Sequence, residues 1–121
     1  MSVLEHLWSV NSALQSDATS TGAGTEADLG GKFGTAICQV SGSMGVITFK
    51  GTVDETNWVN LACVSLANGA ATATAAATGL YSVPVLGLEK FAAHVTTAST
   101  AGPVSVTANF VPSVHNIVAT T

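Results

Sequence analysis

Arginine is missing from this chain, and charge of either sign is scarce. There are three lysines and seven acids, and charged residues make up 8%, where an ordinary soluble domain carries about 25%. Without arginine, a planar two-pronged clamp on phosphate or carboxylate is excluded. Nucleic acid and anionic membrane surfaces call for clustered Lys or Arg, so a chain of net charge −4 is expected to bind neither. No apolar run approaches the roughly 18 residues that a bilayer span needs. The opening MSVLEHLWSV lacks the basic stretch of a signal peptide and the arginines of a transit peptide. It reads as neither, and cytosolic synthesis is expected.

Signals for chemistry are equally thin. His6, His94 and His115 are too far apart for an H-E-x-x-H helix. No G-x-S-x-G elbow marks a nucleophile. Gly22 and Gly24 lack the third glycine of a dinucleotide loop. Asp54 and Glu55 are adjacent acids of the kind turns favour, without the alternating acids of a calcium loop. No catalytic residue, metal site or cofactor is expected, and the chain is not expected to be an enzyme.

What is present is Thr, Val, Ala, Ser and Gly. With 121 residues and 47% hydrophobic content, the chain is the size of one domain and has enough apolar surface for a core. β-branched residues outnumber charged helix formers, which favours strands. A surface this poor in charge is weakly protected against association. It suits a molecule that meets other protein rather than open water.

From residue 35 a two-residue period governs the pattern. Ala36, Cys38 and Val40 alternate with Thr35, Ile37, Gln39 and Ser41. After a turn over 42–45, Ile47, Phe49, Gly51 and Val53 oppose Thr48, Lys50 and Thr52. Asp54 to Asn57 form the next turn, and 58–66 reads as one strand closed by the hairpin pair Asn68–Gly69. Residues 70–78, AATATAAAT, read as an extended edge or loop. Residues 80–85 and 90–97 read as strands, with Pro84 marking the first as an edge or a bulge. Val104, Val106, Ala108 and Phe110 alternate along the last strong strand. Six or seven short strands at about ten-residue spacing indicate an all-β antiparallel sandwich, immunoglobulin-like or jelly-roll in strand order.

The flanks read differently. Residues 1–24 form an N-terminal arm and linker, 25–112 the sandwich, and 113–121 a C-terminal arm or edge strand. Within residues 1–15, Leu4, Leu7, Trp8 and Leu14 sit near helical spacing, and Ser2 with Glu5 has capping-box spacing, which reads as one short amphipathic helix. An assembly arm laid on a neighbouring subunit is one reading; a segment folded on its own core is the other. An edge strand is expected near residues 27–29. Cys38 and Cys63 read as two buried thiols, with an intersheet disulfide as the alternative. Trp58 and Tyr81 read as core side chains, with an exposed platform for a glycan or another subunit as the alternative.

The stretch FKGTVDETNW over 49–58 resembles the F-x-G-S-x-D-G-x-x-W turn of small β-sandwich virion proteins from tailed bacteriophages. GLYSVPVLGL over 79–88 is similar to their G-L-Y-x-V-x-V-x-G-L strand, and KFAAHVTTASTAGPVSVTANF over 90–110 to their closing strands. The likeness spans roughly residues 25–111. Glu55 stands where the pattern has glycine, and no arginine follows the Gly-Leu element. The resemblance implies a structural role without catalytic residues: a capsid decoration or head-fibre subunit, or a tail, neck or baseplate component. It also implies assembly in the host cytoplasm into the virion. The expected partners are further copies of the chain, as a trimer, and the major capsid protein or other virion proteins.

Overall fold

The computed structural model describes residues 10–43 and 45–113. Among them are ten strands and no helix. The strands are β1 (Val10–Ala18), β2 (Ala27–Asp28), β3 (Phe33–Gly42), β4 (Val46–Thr52), β5 (Val59–Leu61), β6 (Cys63–Ser65), β7 (Ala71–Thr72), β8 (Gly79–Pro84), β9 (Lys90–Thr97) and β10 (Val104–Pro112). They form two antiparallel sheets. One runs β1-β10-β3-β8-β6-β7 and the other β2-β9-β4-β5. The chain is a β-sandwich, as its alternation implies.

The core follows from the two-residue period. Ala36, Cys38 and Val40 of β3 face it, with Val104, Val106, Ala108 and Phe110 of β10 and Tyr81 and Val83 of β8. Ile47 and Phe49 of β4 and Phe91, Ala93 and Val95 of β9 close it from the smaller sheet. All four phenylalanines and the single tyrosine join in one relay of rings. Phe49 stacks on Phe91 at 5.9 Å, and Phe91 meets Phe110 edge-on at 5.8 Å. Phe110 touches Phe33 at 5.9 Å, and Phe49 touches Tyr81 at 6.3 Å. Such offset and edge-to-face pairs add to area burial and fix how the two sheets seat on each other.

The structure departs from the sequence expectations in three places. Residues 10–15, expected within a helical arm, are the first part of edge strand β1, paired with β10 from Val10↔Phe110 to Ala18↔Val104. Leu14 is fully buried there, so β1 belongs to the sandwich and not to a detached linker. The strand expected over 58–66 is two strands in different sheets: Phe49↔Leu61 pairs β5 with β4, and Val64↔Ser82 pairs β6 with β8. The chain changes layer at Ala62, one way in which sandwich corners are made. Residue Pro84 ends an interior strand, not an edge. Pairing with β6 stops at Ser82, so no neighbour needs the donor that proline lacks. The two cysteines are free and buried, as first read, and the alternative of an intersheet disulfide falls. They lie in one sheet on either side of β8, where two strand spacings of ~4.8 Å each exceed the Cα separation a disulfide tolerates.

Candidate interaction face and aromatic groove

Alternation assigns the outward side of the larger sheet to residues of one chemical kind. Ile37 lies between Asn109 and Ser82, Gln39 between Thr107 and Leu80, and Thr35 between Val111 and Pro84. Ala13 lies beside Thr107, and Val64 beside Ser82. Among the described residues this face carries no charge. Leu80 is 45% exposed and Val111 38%, and the rest is amide, hydroxyl and small apolar surface. Most charged groups gather on the other layer: Glu26, Asp28, Lys50, Glu89 and Lys90 on β2, β4, β9 and their flanks, and Asp54 and Glu55 after β4. Lys32 stands where the chain enters β3, its carbonyl accepting from the Ser113 N–H at 2.9 Å, in a groove it shares with Val10, Ser12, Glu26 and Asp28. Asp17 stands at a corner of the larger sheet, where its backbone N–H donates to Ser105 Oγ at 3.0 Å.

The F-x-G-x-x-D-x-x-x-W stretch acts as one device. Phe49 is fully buried. At Gly51 a Cβ would stand 2.5 Å from Leu88 Cδ1 and 3.0 Å from Leu61 Cδ1, so glycine lets the tips of those leucines close over the strand without shifting. Asp54 then builds the turn. Its Oδ1 accepts from the Asn57 N–H at 2.7 Å, the Thr56 N–H at 2.9 Å and the Thr52 hydroxyl at 3.0 Å. Its Oδ2 accepts from Asn57 Nδ2 at 2.7 Å. These donors, Asn57 foremost, hold the Asp54 carboxyl well below the usual carboxylate range. Glu55 adopts φ 64°, the left-handed conformation that glycine supplies without strain. Its carboxylate pairs with Lys90 Nζ at 3.1 Å, tying the turn to β9 and raising the lysine's pKa.

The turn delivers Trp58 to the outer side of the smaller sheet. There it is half-buried and lines a groove of about 250 Å³ together with Ala23, Glu26, Lys50, Ala92 and His94. Lys50 and Ala92 are cross-strand partners, and His94 follows on β9 opposite Thr48. Glu26 leans toward Lys90 at 4.0 Å, whereas Lys50 has no ion-pair partner among the described residues. Trp58 is thus a groove wall and not a core residue.

Tyr81 has the opposite fate. It is 6% exposed, packs on Phe49, and its hydroxyl donates to the Ala77 carbonyl at 2.7 Å; it offers no platform. Cys63 Sγ lies 3.3 Å from Thr72 Oγ1, and burial, then the neighbouring Cys63, pushes the Cys38 thiol up to about 12. Leu4, Leu7 and Trp8 lie outside the described residues. Sequence reasoning missed the groove's Lys50, Ala92 and His94 because nothing local links β4, β9 and the start of β5.

No protein-family model matches the sequence, and no curated protein matches it. The fold is shared with two solved structures. The SPBc2 prophage-derived protein YomS is 22% identical, with a TM-score of 0.76 over 85% of this chain and 92% of that one. The PBSX exported protein XepA is 14% identical, with a TM-score of 0.79 over 86% of this chain but 38% of that one. The same sandwich therefore occurs as nearly a whole chain and as part of a longer one. At these identities the likeness is one of fold.

Proposed function

We propose that the chain is a structural virion protein of a tailed bacteriophage, a capsid decoration subunit that covers the assembled shell and stabilises it by interface burial. The observation that carries this reading is the uncharged outer face of the six-stranded sheet. Depletion of charge is one mark of an interface core. The acidic remainder of the molecule would repel copies, so contacts with like subunits fall on that face. A prophage-derived protein with the same fold and the resemblance of the 49–58 and 79–88 stretches support the phage setting. A subunit that binds only the assembled lattice stabilises it by mass action, without chemistry. The partners on this reading are further copies, as a trimer, and the major capsid protein.

The test places charge on the face. Ile37→Glu with Gln39→Lys is expected to keep the melting temperature within a few degrees and to abolish both self-association in sedimentation velocity and co-sedimentation with shells. Unchanged assembly by the double variant sinks the proposal. Gold labelling of particles then separates shell from tail: signal over the whole capsid fits decoration, signal at one vertex a tail, neck or baseplate part.

A further inference from the structure

The groove beside Trp58 lies on the layer opposite that face, and its chemistry differs. One wall is an indole, the floor is the small side chain of Ala92, and the rim ends in a carboxylate (Glu26), an ammonium (Lys50) and an imidazole (His94). We propose that this groove binds one neutral pyranose ring of a glycan.

Four features select that ligand class. The half-exposed Trp58 ring offers the flat, polarisable surface on which the C–H face of a sugar stacks. An alanine at the floor, cross-strand from Lys50, leaves room for the ring to reach the sheet. The rim both donates and accepts: Lys50 and His94 supply N–H donors and Glu26 an acceptor, matching hydroxyls that do both. An anion would meet Glu26, and a purely apolar ligand would make no use of the three polar rim groups. At about 250 Å³ the space is smaller than the ~300–1,000 Å³ of drug-sized sites, which suits a single ring with its chain continuing into solvent. The Asp54 turn and the Glu55–Lys90 ion pair fix the base of the indole in advance, so little ordering is left to binding.

The experiment is an NMR titration of the ¹⁵N-labelled full chain with methyl β-glucopyranoside, methyl β-galactopyranoside and methyl N-acetyl-β-glucosaminide to about 50 mM. The Trp58 indole N–H resonance is assigned by its loss in Trp58→Phe. The expected result is a saturable shift of that resonance with at least one sugar, unchanged by 0.5 M NaCl, because a neutral ligand is not screened. Trp58→Ala should weaken binding about tenfold or more and Glu26→Gln several-fold, while Trp58→Phe retains most of it. No shift with any of the three overturns the proposal. So does a shift produced only by inorganic phosphate or methyl glucuronide and erased by salt. An unchanged affinity in Glu26→Gln, a substitution outside the core, overturns the assigned rim even if Trp58→Ala fails to fold.

Discussion

Two residues in the turn after β4 make opposite contributions. Asp54 gathers four donors, and its pKa is held below that of an unfolded chain's aspartate. A depressed folded pKa stabilises above the unfolded value, near pH 4, and that stabilisation is lost as pH falls further. Wild type should therefore lose stability on acidification below about pH 4, and Asp54→Asn should flatten that limb in urea titrations run from about pH 5 to 2. Glu55 instead carries left-handed strain of roughly 1–2 kcal/mol, offset by its pair with Lys90. Glu55→Gly removes both. Its melting temperature should exceed wild type in 1 M NaCl, where the pair is screened, with a smaller gain in low salt. A third prediction concerns Cys38. A thiol buried and pushed up to about 12 leaves little thiolate, so at pH 8 the native chain should not react at this position with a thiol-exchange reagent, and urea should release it.

At the scale of elements, the weak point of a sandwich is its edge. Strand β1 is a nine-residue edge whose register shifts twice, at Ala13/Gln15 and Gln15/Ala18. Such irregularities twist an edge away from further pairing. Within the shifted stretch Gln15 is buried, and its Nε2 donates to the Ala93 carbonyl at 2.8 Å and the Gly22 carbonyl at 3.1 Å. That amide ties β1 of the larger sheet to β9 of the smaller. Gln15→Ala should cost about 1–3 kcal/mol by leaving buried acceptors short of a partner. The cost is read from the urea midpoint, with hydrogen exchange of β1 rising before that of β10. A loss of stability without earlier opening of β1 would show that Gln15 does not act as this tie.

At the scale of the whole molecule, the asymmetry between layers sets behaviour. Among the described residues one outer face is uncharged; the other carries Lys50, Lys90 and most of the acids. Association through the uncharged face should therefore vary little with ionic strength, because no exposed ion pair crosses it. Sedimentation velocity from about 20 mM to 500 mM NaCl checks this: a steep loss of oligomer with salt would place the contact on the charged layer instead. The Ile37 and Gln39 double substitution makes the complementary test by adding charge where there is none.

Much of this architecture is legible in the sequence because a strand has only two sides. The alternation along β3, β4 and β10 fixes which side chains turn inward, and the Phe49–Gly51–Asp54 spacing fixes a strand, a close approach and a turn. Period alone says nothing about layer. It marks Leu61 and Cys63 as facing the same way without revealing that they belong to different sheets, and it gives Trp58 and Tyr81 equal claims on the core. Those questions are decided by pairings between residues far apart in the chain: β5 with β4, β6 with β8, and β1 with β10. Only once these contacts close does one layer shed its charge, Tyr81 become buried, and Trp58 come to lie beside Lys50 and His94. Local sequence determines inside from outside; which outside a residue occupies depends on the energy of the assembled sheets.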